Sequence, residues 1–224
     1  MIAKLILRTI LAMLLLGGLL FLSAGTYDWP GAWAFLALLG TIGLGGGSWL
    51  AATDPELFKE RMKPMFQRGQ KGWDKKLMGA ILALWLSWFV VMGLDHRYGW
   101  SSVPLSLQVV GFLLLVLMMV IVVYVLRENR FAAPVVRVQT ERGHRVVSTG
   151  PYAFVRHPMY ASMLFYGLGV PLLLGALSGL IVAAALIVLI AIRAVFEERT
   201  LAAELPGYAA YAERVRYRLV PLVW

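Results

Sequence analysis

Six apolar runs, near residues 5–24, 32–52, 77–94, 104–126, 159–175 and 178–196, constrain this chain more than any other feature. A helix that crosses the hydrocarbon core of a bilayer needs about 20 mostly apolar residues, because no water is there to satisfy its backbone. The last two runs are close to the lower limit and are separated only by Gly175-Ala-Leu-Ser-Gly179, which predicts a tight helical hairpin. With 60% hydrophobic and 15% charged residues, against about 45–50% and about 25% in soluble proteins, an ordinary water-soluble fold is excluded.

The basic residues then set the orientation. The formal charge of +9 comes from 21 Lys and Arg against 12 Asp and Glu. Lys4 and Arg8 lie at the N-terminus, seven basic residues lie in 53–76, only Arg97 in 95–103, six in 127–157 and five in 193–224. Ser23–Gly31 and Gly175–Gly179 have none. This alternation fits the positive-inside rule with six spans and both termini cytoplasmic. Lys4 and Arg8 before a stretch ending in Leu-Ser-Ala-Gly also resemble a cleavable signal, but the apolar run is long for one. The charge excess therefore reads as topology, not as nucleic-acid binding. Without cysteine, and with only three scattered histidines (His96, His144, His157), disulfides and thiolate chemistry are excluded and no metal site is expected.

Two connecting segments carry further signals. Thr53-Asp54-Pro55-Glu56 predicts a short helix capped by Thr53, with Glu56 completing a capping box. Leu57, Phe58, Met62, Met65 and Phe66 interleaved with Lys59, Arg61, Lys63 and Arg68 predict that it lies on anionic headgroups. In 127–157, the β-branched runs Pro134–Thr140 and Arg145–Thr149, separated by Glu141-Arg-Gly-His144, predict a small β-hairpin packed on the helix ends. Gly43-Leu-Gly-Gly-Gly47 and Gly167-Leu-Gly169 sit inside apolar runs with no preceding strand, so they read as close-packing sites and not as dinucleotide loops. The expected architecture is an all-α integral membrane protein of about six apolar helices, the last two a hairpin, with a small cytoplasmic β-hairpin and a C-terminal helical tail. Residues 1–126 form the N-terminal helices with a basic interfacial loop at 53–76, and 127–224 carry the chemistry.

Two polar clusters stand where the apolar chain meets the cytoplasm. In Gly150-Pro151-Tyr152-Ala-Phe-Val-Arg156-His157-Pro158-Met159-Tyr160, Gly-Pro-Tyr makes a turn and Pro158 starts a helix whose free N–H groups favour an anion. Arg156 and His157 stand beside that helix end. Glu197-Glu198, near the end of the sixth run, places adjacent carboxylates where they oppose each other and the helix dipole, which calls for cationic partners. Arg193 and Arg199 are the local candidates. Further on, Tyr208, Tyr211 and then either Arg214 or Val215 share one face if the segment after Gly207 is helical. That segment also suits an amphipathic tail lying on the bilayer.

Taken together, Gly150-Pro-Tyr-x3-Arg-His-Pro-x-Tyr160, an apolar hairpin, Glu197-Glu198, and Pro-Gly-Tyr-x2-Tyr211-x2-Arg214-x3-Arg218-x2-Pro221 resemble the isoprenylcysteine carboxyl methyltransferase and phospholipid methyltransferase superfamily. Asn129 and Gln139 also sit where the carboxyl branch carries polar residues. The phospholipid branch often places Gly-x-Gly in the helix before the cytoplasmic segment; here that helix has only Gly111, which favours the carboxyl branch. The resemblance implies S-adenosyl-L-methionine as cofactor, held by Gln139, Gly150, Tyr152, Arg156, His157, Pro158, Tyr160, Glu197, Glu198, Tyr208 and Tyr211. It also implies membrane lipids and a lipophilic methyl acceptor as partners. Arg214 or Arg218 would hold an acceptor carboxylate, and Glu198 would serve an amine acceptor as base. A sterol-type membrane reductase using NADPH shares an Arg-His-x-x-Tyr stretch. Met159 in place of the Asn usual before that Tyr, and the lack of an acidic residue soon after Tyr160, disfavour it. A non-catalytic lipid-binding scaffold is the third expectation.

Overall fold

Each apolar run forms a helix. The computed structural model describes residues 2–67 and 69–224, so Arg68 of the basic loop lies outside the described residues. In chain order the helices are α1 (Ile2–Ala24); α2 (Pro30–Thr41), which continues through a π turn (Ile42–Gly46) into α3 (Gly47–Thr53); the short α4 (Pro55–Arg61); α5 (Gly72–Tyr98); α6 (Leu105–Glu128); α7 (Pro158–Leu174); α8 (Gly179–Glu204); and the short α9 (Tyr208–Arg214). Among the described residues, five segments are long and apolar enough to cross a membrane: α1, the α2–α3 rod, α5, α6 and α8. The expected sixth span is corrected. Helix α7 has 17 residues, about 25 Å at 1.5 Å per residue, short of a roughly 30 Å hydrocarbon core.

The ends of α7 are fixed chemically. Pro158 occupies its first turn, and Gly175 ends it at φ 71°, a left-handed conformation that favours glycine. The following turn still reaches the end of the bundle that carries the α5–α6 connection. There the Leu177 N–H donates to Ser101 Oγ (3.0 Å) and the Ser178 N–H to the Asp95 carboxylate (3.0 Å). The Trp29 and Trp88 indoles donate to the carbonyls of Leu174 (2.9 Å) and Gly179 (2.7 Å), so the α7–α8 hairpin is pinned from α2 and α5.

Leu20, Phe35, Trp88, Phe89, Met92, Leu115, Val170 and Leu186 form the main core, drawn from all the long helices. Large apolar side chains such as Leu14, Leu113 and Ile181 point outward, a surface that only hydrocarbon would cover without cost. Small residues let the helices approach. A Cβ at Gly111 would stand 2.5 Å from the Leu173 backbone of α7, so α6 and α7 are in contact through glycine, as the close-packing reading of Gly167-Leu-Gly169 expects on the α7 side.

Two local expectations are corrected. The described residues contain no strand, so the 134–149 hairpin does not form. The extended segment spends its backbone elsewhere: the Val136 N–H donates to the Asp74 carboxylate (3.0 Å), and the Phe131 carbonyl accepts from Gln139 Nε2 (2.8 Å). The cap of α4 is Asp54, which accepts from the Leu57 N–H at 2.9 Å, while the Thr53 hydroxyl donates back to the Trp49 carbonyl. Leu57 and Phe58 are buried against Leu5 and Leu50, so α4 turns its apolar face to the bundle and not to headgroups.

The glycine contacts yield a stability test. Gly111→Ala should overpack the α6–α7 contact and cost about 1–3 kcal/mol. Gly18→Ala, which meets nothing within 4 Å, should leave the unfolding temperature in detergent unchanged or slightly raised. Equal unfolding temperatures for Gly111→Ala and wild type would contradict this packing.

Candidate functional site

The basic end is organised by two carboxylates. Glu198, near the end of α8, accepts from Arg156 Nε (2.7 Å) and Arg218 Nε (2.9 Å), with His157 Nε2 at 3.2 Å. The backbone completes the clamp, as the N–H groups of Arg156 and His157 donate to the carbonyls of Tyr217 and Arg218 (both 2.9 Å). Arg156 Nη1 also donates to the carbonyls of Ala212 (3.0 Å) and Val215 (3.3 Å) at the end of α9. The turn before α7, the end of α8 and the C-terminal tail are thus locked together by charge-assisted bonds.

The second carboxylate is Asp74, fully buried in the first turn of α5. It accepts from Arg193 Nε (2.8 Å), Gln70 Nε2 (2.8 Å) and the Val136 N–H (3.0 Å). Arg193 in turn donates to the Pro134 carbonyl (2.9 Å) and to the Tyr160 hydroxyl (2.6 Å), and Tyr160 donates to Glu197 Oε2 (2.6 Å). A chain of bonds therefore runs from Asp74 on α5 through Arg193 and Tyr160 to Glu197.

Glu197 faces an open cleft. Its walls come from the 129–147 segment, the turn before α7, the last turns of α8 and α9. On one side the His144 ring stacks on Phe131 with centroids 4.6 Å apart. The Gln139 N–H donates to His144 Nδ1 (3.3 Å), which leaves Nε2 to carry the proton of a neutral ring. Burial draws the His144 pKa down. On the other side Tyr208 and Tyr211 meet edge to face. Burial pushes Tyr211 up to about 12 and also raises Tyr152 and Tyr208, so all three stay neutral donors. Tyr211 donates to the Tyr152 carbonyl and Asn129 to the Tyr152 hydroxyl (both 2.8 Å). The buried Tyr208 hydroxyl has no hydrogen-bond partner among the described residues. Among the described residues, no group of three or more His, Asp or Glu could hold a metal ion.

Of the residues singled out from sequence, Tyr152, Arg156, His157, Pro158, Tyr160, Glu197, Tyr208 and Tyr211 line the cleft together. Gly150 forms the preceding turn at φ 56°, where its missing side chain lets the Glu128 carboxylate approach. Gln139 is buried behind the wall and braces the loop. Glu198 and Arg218 are bonded to each other outside the cleft lining, and Arg214 is exposed. On α9, Val215 and not Arg214 joins Tyr208 and Tyr211 on the buried face. Arg193 does not neutralise the Glu pair; it serves Asp74. Sequence reasoning missed Asp74, Gln70 and Phe131. Asp74 opens α5, where an acidic residue reads as an ordinary favourable charge on the helix dipole, although its partner Arg193, a cation inside an apolar run, signals a buried partner.

The fold and cleft define a multi-pass membrane protein with a polar, aromatic-walled site at the basic end of its bundle. Residues 107–206 match the model of the phospholipid methyltransferase family. The match spans α6 to α8 and all of the cleft wall except Tyr208 and Tyr211. No curated protein matches the chain.

Two measurements check the site's construction. Asp74→Asn leaves Arg193 buried without a counter-charge and should cost about 3–5 kcal/mol in detergent unfolding; a loss below about 1 kcal/mol would show that Arg193 finds another partner. Because the folded-state pKa of His144 is depressed, the unfolded chain takes up the proton first on acidification. The stability carried by the neutral ring is complete above about pH 6.5 and is lost below it. Between about pH 7.5 and about pH 5.5, wild type should therefore lose more unfolding temperature than His144→Gln, and an equal loss would contradict a buried neutral ring.

Proposed function

We propose that this chain transfers a methyl group from S-adenosylmethionine to a lipophilic acceptor, a carboxylate of an isoprenylcysteine-like or other hydrophobic substrate, with residues 127–224 as the cofactor-binding region. The charge bias of the loops supports a reaction at the cytoplasmic face. The observation that carries the reading is a pair of unspent polar groups in the cleft: Glu197 Oε1, which makes no hydrogen bond within the described residues, and the orphaned Tyr208 hydroxyl. An orphaned buried donor is costly unless a ligand satisfies it. Glu197 would take the ammonium or the ribose diol of the cofactor. Tyr208 would donate to an acceptor atom, and the rings of Phe131, Tyr208 and Tyr211 offer faces to the adenine and the sulfonium. Arg145, exposed on the cleft wall and without an ion pair among the described residues, suits the carboxylate.

Bound S-adenosylmethionine supplies an electrophilic methyl group on sulfur. A carboxylate oxygen of the acceptor bonds to that carbon as the carbon–sulfur bond breaks and its electron pair stays on sulfur, so no proton moves and no base is needed. The protein's task is to orient the reactants and exclude water. The Asp74–Arg193–Tyr160 chain serves the first by fixing the Glu197 carboxylate. Glu198, bonded to two arginines, is poorly placed to act as a base and instead supports the cleft from behind.

The NADPH reading is less well supported. A dinucleotide with a pyrophosphate and a further phosphate needs several free cations, whereas Arg137 is paired with Glu60 and Glu141, and Arg156 with Glu198. Thermal shift in detergent separates the readings: S-adenosylmethionine should raise the unfolding temperature, NADPH should not, and Glu197→Gln should weaken S-adenosylmethionine binding about tenfold or more. Stabilisation by NADPH without any effect of S-adenosylmethionine would overturn the proposal, and S-adenosylmethionine binding without methyl transfer to any membrane lipid would favour a scaffold.

A further inference from the structure

A second, partly open cavity of about 240 Å³ lies between α1, the π turn of the α2–α3 rod, α4 and α6. Its walls are apolar, with Leu5, Leu50, Phe58, Met119 and Val122 among them, and Arg61 is their one charged residue. The π turn that borders the cavity packs closely on its neighbours through glycine. A Cβ at Gly43 would stand 3.0 Å from Thr9 Oγ1, at Gly46 2.9 Å from Met119 Cε, and at Gly47 2.6 Å from Leu5 Cδ1. A π turn inside an otherwise regular helix is a costly feature that often accompanies a binding function.

Arg61 makes the cavity more than a gap in packing. It is half-buried at the end of α4, donates through Nη1 to the Ala132 carbonyl (2.9 Å), and has no carboxylate within ion-pairing distance among the described residues. Burial lowers its pKa, with Tyr152 nearby acting in the opposite direction. Arg8, exposed on α1 and outside the cavity lining, donates through Nη1 to the Arg61 carbonyl (3.3 Å). A guanidinium in the wall of an apolar cavity, with no acidic side chain among the described lining residues, is complementary to an amphiphile with an anionic head. Arg61 also stands at the partition between the two cavities: Ala132, whose carbonyl it holds, and Tyr152, which it approaches, both line the cofactor cleft.

We propose that this second cavity is the acceptor site, holding the hydrocarbon chain of a single-chain lipid acid with its carboxylate on Arg61. The inference rests on the methyltransferase reading and names its acceptor. It replaces Arg214, which is exposed, and Arg218, which is bonded to Glu198, as the holder of the acceptor carboxylate. An amine acceptor fits this cavity poorly, since its ammonium would face Arg61 and no Asp, Glu or His in the wall could take its proton. The cavity lies mostly on α1 to α4, which precede the matched residues 107–206.

The test uses the full chain in lipid nanodiscs and a photoreactive palmitic acid, with photoreactive phosphatidylethanolamine carrying the same chain as the second arm. Illumination should attach the fatty acid to peptides containing Met62, Met119 or Val122. Val122→Trp, which fills the cavity, and Arg61→Gln should each cut that labelling about tenfold, while S-adenosylmethionine still raises the unfolding temperature of both variants as a check on folding. Labelling that is unchanged in both variants, that scatters over the outward faces of α1 and α6, or that comes from phosphatidylethanolamine in preference to the acid would overturn the proposal. Because labelling is read without methyl transfer, site-specific labelling in a protein that does not bind S-adenosylmethionine would sink the methyltransferase reading alone. Normal cofactor binding with cavity-independent labelling would sink the acceptor site alone.

Discussion

The buried pair between Asp74 and Arg193 is the interaction on which the basic end of this protein depends. Two charges withdrawn from water are tolerated only when every remaining polar position is bonded. Here that requirement recruits Gln70, the backbone of Val136, the carbonyl of Pro134 and the hydroxyl of Tyr160. The consequence is architectural. The 129–147 segment cannot pair with itself as a hairpin because its backbone is bound to α5 and α8, and Tyr160 is held where it fixes Glu197. A cost in desolvation is converted into a cleft wall of defined shape.

Much of the fold was legible in the apolar runs, because membrane helices announce themselves by length and composition. The α7–α8 hairpin followed from the five residues between Gly175 and Gly179, and the turn–helix start from Gly150 and Pro158. The missing hairpin was not legible, since β-branched runs report a preference for extended backbone but say nothing about where the hydrogen bonds go. Thr53 and Asp54 are both good caps, and only geometry chose Asp54. In the site, adjacent glutamates signalled cationic partners, yet sequence could not show that Glu198 would take Arg156 and Arg218 while Glu197 would take Tyr160. Residues distant in sequence, such as Asp74 and Arg193, meet only after the helices pack.

The two carboxylates of Glu197-Glu198 divide the labour that a single cluster suggested. Glu198 ties the C-terminal tail to the turn before α7, and with it places Tyr208 and Tyr211 over the cleft. Glu197 keeps one oxygen unspent within that cleft. The two cavities adjoin where Arg61, in the wall of one, donates to the carbonyl of Ala132, in the wall of the other. The arginines of this end thus hold the site by their individual bonds, Arg156 and Arg218 on Glu198 and Arg193 on Asp74.

The central claim is that the cleft walled by Phe131, His144, Glu197 and Tyr208 receives S-adenosylmethionine. Direct ultraviolet cross-linking of methyl-labelled S-adenosylmethionine to the full chain in detergent, followed by peptide mapping, tests it without assuming an acceptor. The account predicts label on peptides covering 129–160 and 197–211, competed by S-adenosylhomocysteine and not by NADPH. Label confined to other helices, or label that S-adenosylhomocysteine does not displace, would contradict it.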